Sequence, residues 1–89
     1  MNVENNLKHH QFEAHVEGDV AFLSYRMDGD TMVLEHTRVP KPLEGRGIAS
    51  SLATAAFDYA RSNHLRVVVV CPYVQSWLER HPEQRDLVI

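Results

Sequence analysis

The sequence has 89 residues, a formal net charge of −3 and a single cysteine. A chain of this length forms one small domain, and its acidic balance argues against a nucleic-acid partner, because nucleic-acid-binding proteins normally present a basic face. One cysteine excludes an internal disulfide bond and fits a reducing compartment, so we expect a cytoplasmic protein. The longest apolar run, Val67–Cys71, is too short to cross a bilayer, and no membrane partner is expected.

Residues 1–10 are polar and show no periodicity, which predicts a flexible N-terminus before a single domain over residues 11–89. Turn residues such as Asp28-Gly29-Asp30 separate the segments that follow. Alternation of apolar and polar residues predicts three strands over Phe12–Val16, Val20–Met27 and Thr31–Arg38. We expect them to form an antiparallel meander.

The second half of the sequence predicts a helix, a strand and a shorter helix. Apolar residues at helical spacing predict the first helix over Ile48–Asn63. The continuous β-branched run in Arg66–Cys71 is typical of a strand buried on both faces, and it is expected to pair in parallel, or through a crossover, around the helix. Pro72 suits the first turn of a second helix over Tyr73–Glu79, which Pro82 ends.

Two glycines, Gly45 and Gly47, immediately precede the first helix. Glycine lets a backbone turn tightly and approach a ligand closely, and the unpaired N–H groups of a first helical turn suit a phosphate. The stretch lacks the Gly-Lys-Ser/Thr ending of a P-loop and the third glycine of a dinucleotide-binding turn. By itself it fits either a phosphate-binding turn or a plain helix start.

Four spaced motifs narrow this choice when they are considered together. They are His36-Thr37-Arg38-Val39-Pro40, Gly45-Arg46-Gly47-Ile48-Ala49, Cys71-Pro72-Tyr73 and Arg80-His81-Pro82. In this order they resemble the small, minimal members of the GCN5-related N-acetyltransferase (GNAT) family. The resemblance implies an α/β (α+β) fold with a three-stranded antiparallel meander, a helix, a buried strand and a short C-terminal helix.

The resemblance also implies binding of acetyl-CoA, the acyl donor, and transfer of its acetyl group to an amine acceptor, either a small molecule or a protein. In the family, backbone amides of the glycine turn bind the pyrophosphate of coenzyme A, and a strand end pairs with the pantetheine arm. The matching pyrophosphate residues here are Glu44, Gly45, Arg46, Gly47, Ile48, Ala49 and Ser50, and the matching strand end is Thr37, Arg38 and Val39. We expect a monomer or a weak homodimer.

The sequence departs from the family pattern in two ways. Glu44 stands where the family usually has Gln or Arg, so this side chain cannot add a positive contact to the pyrophosphate. The sequence also lacks the early helices and late strands that shape the acceptor site in larger family members. A CoA-binding or adaptor module with little or no catalysis is therefore the alternative to an enzyme.

Three residues are candidates for catalysis, and each has a structural alternative. Tyr73 lies where many GNAT enzymes place the tyrosine that protonates the leaving thiolate, but it could simply pack the second helix. His36 could act as a base, and strict alternation puts Glu35 on the opposite face of the strand. Cys71 could be a reactive thiol or acyl carrier at a helix N-terminus, or a small buried hydrophobe. No metal site is expected, because the adjacent His9 and His10 would not converge on one ion.

Overall fold

The computed structural model describes residues 2–89, and it contains the four predicted strands and the two predicted helices in the predicted order. The strands and α-helices are β1 (Glu4–Asn6), β2 (Gln11–Val16), β3 (Asp19–Asp28), β4 (Thr31–Arg38), α1 (Ile48–Ser62), β5 (Arg66–Val69) and α2 (Pro72–Arg80). Short 3-10 helices cover Lys41–Leu43 and Pro82–Leu87. None of the helices in residues 2–89 combines the length and apolar character needed to cross a membrane.

The five strands lie side by side in chain order. β1 to β4 are antiparallel, which confirms the predicted meander. β5 returns parallel to β4 after the crossover through α1, with Thr31 opposite Arg66 and Leu34 opposite Val69. The result is a mixed α+β fold, as predicted, in which α1 joins two neighbouring parallel strands.

The N-terminal segment adds an element to those predicted, because Glu4–Asn6 forms an edge strand on β2. The hydroxyl of Tyr25 donates a hydrogen bond of 2.8 Å to Asn5 Oδ1, and Asn6 Nδ2 donates one of 3.0 Å to Glu13. A three-residue polar strand has no periodicity to detect, and Tyr25, the partner of Asn5, lies 20 positions along the chain. Residues 4–6 thus belong to the sheet, where the sequence predicted no element, and the flexibility of residues 1–10 stays a prediction.

The core lies between one face of the sheet and the two helices. Fully buried alanines on α1, Ala53, Ala56 and Ala60, let this helix lie close to the strands. The ring of Phe57 on α1 stacks on that of Trp77 on α2, with a centroid separation of 5.3 Å. This contact fixes α2 against α1 and places the starts of both helices near the end of β4.

A β-bulge interrupts the pairing of β3 with β4. Ser24 lies opposite His36, whereas the next residue, Tyr25, lies opposite Leu34, so Glu35 is an extra residue on β4. The strict alternation predicted for this strand is therefore wrong at Glu35, because a bulge shifts the pattern by one residue.

The bulge decides which side chains of β4 reach the core. Directly opposed residues share a face of the sheet. Thr37 pairs with Leu23, which is fully buried, so Thr37 lies on the face that carries the helices. His36 pairs with Ser24 on the opposite face and is exposed. Glu35 contacts Arg26 at 3.4 Å on that same outer face, so the prediction that Glu35 and His36 lie on opposite faces is wrong.

The prediction that β5 is buried on both faces is wrong, because Arg66 is exposed and Val68 only half-buried on its outer face; β5 is also the last strand of the sheet. Val67 is fully buried, but the side chain of Val70, just beyond the strand, is 54% exposed. The C-terminus covers part of this edge: Val88 forms a bridge with Val67, and the N–H of Ile89 donates to the Val67 carbonyl. The β-branched run thus belongs to an edge strand that its own C-terminus protects.

Candidate functional site

β4 and β5 separate at one end of the sheet. Their pairing stops at Leu34 and Val69, although β4 continues to Arg38. The N–H groups of Val70 and Cys71 both donate to the Leu34 carbonyl, at 2.9 and 3.0 Å. Two successive donors on one carbonyl turn the chain away from β4, so the last four residues of β4 have no partner on β5.

A cleft of about 280 Å³ opens beside this separation. Its walls come from the end of β4, the 3-10 helix, the glycine turn and the first turns of α1 and α2. The residues that line it are Val39, Leu43, Glu44, Gly45, Gly47, Ile48, Ala49, Ser50 and Tyr73. The cleft therefore combines apolar side chains with the open backbone of a helix start.

The glycine turn, residues 45–47, supplies the exposed backbone of the cleft wall. Gly45 and Gly47 have φ angles of 79° and 76°, in the left-handed region where glycine carries no steric penalty. Gly47 is the N-cap of α1 and brings no side-chain acceptor to the first N–H groups. A Cβ atom built on Gly47 would meet no protein atom within 4 Å. The first turn of α1 thus faces open space with unpaired donors at the positive end of the helix dipole.

The charged side chains around the turn point in different directions. Glu44 lines the cleft. Arg46 does not line it, because its Nη1 donates a hydrogen bond of 3.0 Å to Glu17 in the turn between β2 and β3. Any attraction of the cleft for an anion therefore comes from backbone N–H groups and hydroxyls rather than from the Arg46 guanidinium.

The two residues that follow β5 differ in their access to the cleft. Tyr73 lies in the first turn of α2 and lines the cleft. Cys71 is the N-cap of α2 and is only 2% exposed. Its Sγ lies 3.1 Å from Thr37 Oγ1, across the gap between the strands. Cys71 is thus behind the wall of the cleft, whereas Tyr73 is on its surface.

The structure brings most of the predicted site together, but not all of it. Seven of the predicted binding residues line the cleft: Val39, Glu44, Gly45, Gly47, Ile48, Ala49 and Ser50. Thr37 does not line the cleft, but its hydroxyl contacts Cys71 behind the cleft wall. The side chains of Arg38 and His36, also on β4, are exposed. Since His36 lies on the face of the sheet opposite the helices, its role as a base remains a prediction that the cleft does not support.

Sequence reasoning missed two residues of this site. Leu43, at the end of the 3-10 helix, is fully buried and lines the cleft, although the predicted pyrophosphate residues begin only at Glu44. Trp77 is a core residue of α2 and is only 1% exposed. Its indole N–H also donates a hydrogen bond of 3.0 Å to the hydroxyl of Ser50. No local pattern signals a contact between side chains 27 positions apart.

No group of three or more potential metal ligands was found within residues 2–89. The histidine side chains instead make individual contacts, as where His15 lies 3.0 Å from Glu13 and His81 lies 3.4 Å from Glu83. The polar groups in and behind the cleft are backbone amides, hydroxyls and one thiol.

The chain belongs to the GCN5-related N-acetyltransferase family, whose model, described as "GCN5-related N-acetyl-transferase", matches residues 11–87. Among individual relatives, it is 40% identical over 83 residues to Protein NATD1 of Bos taurus, a match that covers 90% of this chain and 74% of that protein. It is 36% identical over 90 residues to Protein NATD1 of Danio rerio, with 98% and 82% covered.

A solved structure shows the same fold. The solution NMR structure of a GCN5-like protein from Staphylococcus aureus superimposes with a TM-score of 0.77 and covers 99% of this chain and 87% of that one. The sequence identity is 23%, so this likeness concerns the fold alone. Together with the family match it confirms the fold class and the family inferred from the four motifs.

Proposed function

We propose that this protein binds acetyl-CoA in the cleft and transfers the acetyl group to an amine. The observation that carries the proposal is the open first turn of α1. It presents backbone donors to a cleft that leads to the gap between β4 and β5. Family membership supports the same reaction class.

In this proposal the pyrophosphate of coenzyme A lies against the glycine turn. The room beside Gly47, where a Cβ would meet no protein atom within 4 Å, accommodates a close approach of phosphate oxygens to the backbone. The N–H groups that follow Gly47 supply the hydrogen bonds, and the helix dipole favours the negative charge. Glu44 on the same wall works against this attraction and lowers the affinity.

The pantetheine arm would then follow the unpaired end of β4. Residues Thr37–Val39 have no β5 neighbour, so their backbone edge is available to the amide groups of the arm. This path leads the thioester from the glycine turn toward Tyr73. The arm replaces the missing strand partner for a few residues.

The transfer itself requires one nucleophile and one proton donor at the thioester. The amine nitrogen attacks the carbonyl carbon, the carbon–sulfur bond breaks, and the departing thiolate takes up a proton while the new amide loses one. In this proposal the hydroxyl of Tyr73, on the cleft wall, donates the proton to the thiolate. His36 could take the proton from the amine only for an acceptor that approaches from the opposite face of the sheet.

Cys71 defines a second route, in which its thiolate attacks the carbonyl carbon, coenzyme A leaves, and the amine then attacks the acyl-cysteine. The 2% exposure of Cys71 favours direct attack by the amine instead. The same burial also favours the second candidate function, a module that binds coenzyme A without transferring its acyl group. Detection of an acetylated amine product, or of its absence, separates the enzyme from the module.

The binding step is tested by two glycine-to-alanine variants that carry the same backbone penalty. Gly47→Ala and Gly29→Ala both place a methyl group at a positive φ, 76° and 60°, with open space around the added Cβ. Both variants should lose about 1 kcal/mol of folding free energy. Only Gly47 borders the cleft, whereas Gly29 lies in the hairpin between β3 and β4.

Calorimetric titration with acetyl-CoA and with CoA measures the effect. We expect Gly47→Ala to weaken binding of both ligands by about tenfold or more, since the methyl group occupies the space of the pyrophosphate. Gly29→Ala should bind like the wild type. Equal affinities for Gly47→Ala and the wild type would refute the proposed site.

A further inference from the structure

We infer that Trp77 is a positioning residue for the pyrophosphate, which it serves through the hydroxyl of Ser50. The inference rests on the proposed function and adds a residue on α2 to a pyrophosphate site otherwise built from the glycine turn and the first turn of α1. Its starting point is the hydrogen bond of 3.0 Å from Trp77 Nε1 to Ser50 Oγ. Ser50 itself lines the cleft, whereas Trp77 does not.

The indole of Trp77 stacks on two other rings. The ring of Phe57 stacks on it at a centroid distance of 5.3 Å and an interplanar angle of 29°. The ring of His81 stacks at 4.2 Å and 22°. With 1% of its surface exposed, the indole has one orientation, and its N–H therefore has a fixed direction.

This fixed donor determines which hydrogen bonds the hydroxyl of Ser50 can make. A serine in a helix can turn its hydroxyl back to the carbonyl four residues earlier. The neighbouring Ser51 does so, since its Oγ donates to the Gly47 carbonyl at 3.2 Å. Ser50 Oγ instead accepts from Trp77, which leaves the proton of its own hydroxyl available for another acceptor.

The position of Ser50 favours an anion as the acceptor for the proton of its hydroxyl. Ser50 follows Ile48 and Ala49 in the first turn of α1, next to the unpaired N–H groups. A second cleft, of about 400 Å³, also shares Ser50 as part of its wall, so the hydroxyl stands at a boundary between two open spaces. A phosphate oxygen at the glycine turn would accept a charge-assisted hydrogen bond from it.

The test compares CoA with pantetheine, which has the same arm but no phosphates. Ser50→Ala removes the hydroxyl, and Trp77→Phe removes the indole N–H but keeps an aromatic ring. Each should weaken CoA binding by about tenfold, and the double variant should be no weaker than either single variant, because both act on one hydrogen bond. Pantetheine binding should stay within about twofold of the wild type throughout. Ser51→Ala is the matched control and should bind CoA normally.

A spectroscopic signal checks the contact directly. Trp77 is the single tryptophan of the sequence, so a nitrogen–proton correlation spectrum contains one indole N–H signal. That signal should shift when CoA is added and remain in place when pantetheine is added. If Trp77→Phe does not fold, benzothienylalanine at position 77 replaces the indole N–H by sulfur at nearly constant shape and is expected to give the same loss.

The outcomes distinguish the inference from the function on which it rests. If the wild type binds CoA but Trp77→Phe or its benzothienyl counterpart binds it equally well, the inference is wrong and the proposed site stands. Equal losses for CoA and pantetheine would assign Trp77 a purely structural role and also overturn the inference. Failure of the wild type to bind CoA would reject both.

Discussion

The hydroxyl of Thr37 and the thiol of Cys71 lie 3.1 Å apart and join the separating ends of β4 and β5. Beyond Leu34 the two strands have no backbone pairing, so this side-chain contact is what connects them behind the cleft. It depends on the bulge at Glu35, which returns Thr37 to the core face of the sheet. The bulge therefore shapes the back wall of the proposed acetyl site.

Replacement of this thiol separates the two routes of acetyl transfer. For direct attack by the amine, Cys71→Ala should retain acetyl transfer within about threefold and lose about 1 kcal/mol of stability from the small cavity it leaves. Mass spectrometry of the wild type after incubation with acetyl-CoA should show no acetyl group on Cys71. Loss of transfer in Cys71→Ala with intact CoA binding would instead establish the acyl-cysteine route.

Tyr73 is predicted to affect catalysis without affecting binding. Tyr73→Phe keeps the ring on the cleft wall and removes the proton donor, so kcat should fall by about a hundredfold while KM for acetyl-CoA changes little. Tyr59→Phe is the control, because its ring packs edge-on against Phe12 rather than in the cleft. Unchanged kcat in Tyr73→Phe would remove Tyr73 from the mechanism.

Glu44 is predicted to oppose the negative charge of the coenzyme. Glu44→Gln removes a carboxylate from the cleft wall, and we expect CoA to bind about threefold more tightly at low salt, with a smaller gain as screening increases. Glu4→Gln makes the same change of charge on β1 at the far edge of the sheet and should leave the affinity unaltered. Equal effects of the two substitutions would show that only net charge matters.

Glu13 gives a prediction about pH and stability. Hydrogen bonds from the side chains of Gln11, His15 and Asn6 hold the pKa of the Glu13 carboxyl below its ordinary value, with the bond from Gln11 as the largest cause. A lowered folded-state pKa stabilises the fold above the unfolded-state pKa, and this contribution disappears as the pH falls through the folded-state value.

Thermal unfolding of Glu13→Gln against the wild type measures this contribution. The variant should be less stable at neutral pH by about 1 kcal/mol, because its amide cannot accept from all three donors. The difference in Tm should shrink as the pH is lowered into the range where Glu13 becomes protonated. A difference that is independent of pH would show that the carboxylate charge does not contribute.

Much of the fold could be predicted because its signals are local. Alternation and the Asp28-Gly29-Asp30 turn predict β3 and β4, and the apolar spacing of α1 predicts its first residue, Ile48. Pro72 marks the start of α2, because proline suits the first turn of a helix. Most of the cleft could be predicted too, since the glycine turn and the residues that follow it form one continuous stretch.

The parts that could not be predicted depend on contacts between distant residues. β1 pairs with the neighbouring β2, but its residue Asn5 also bonds to Tyr25 on β3, 20 positions along the chain. The extra residue Glu35 is set by the register with β3, and the position of β5 at the edge is set by the order of the whole sheet. The bond between Trp77 and Ser50 belongs to the same class, because only the packing of α2 on α1 brings the two together.

Binding of coenzyme A at the glycine turn is tested most directly by a titration of the protein with CoA, in which backbone amide chemical shifts are followed. We predict large shifts at the N–H groups of Gly45, Arg46, Gly47 and Ile48, and further changes near Tyr73 when acetyl-CoA replaces CoA. The absence of any shift in the glycine turn at millimolar ligand would contradict the proposed function.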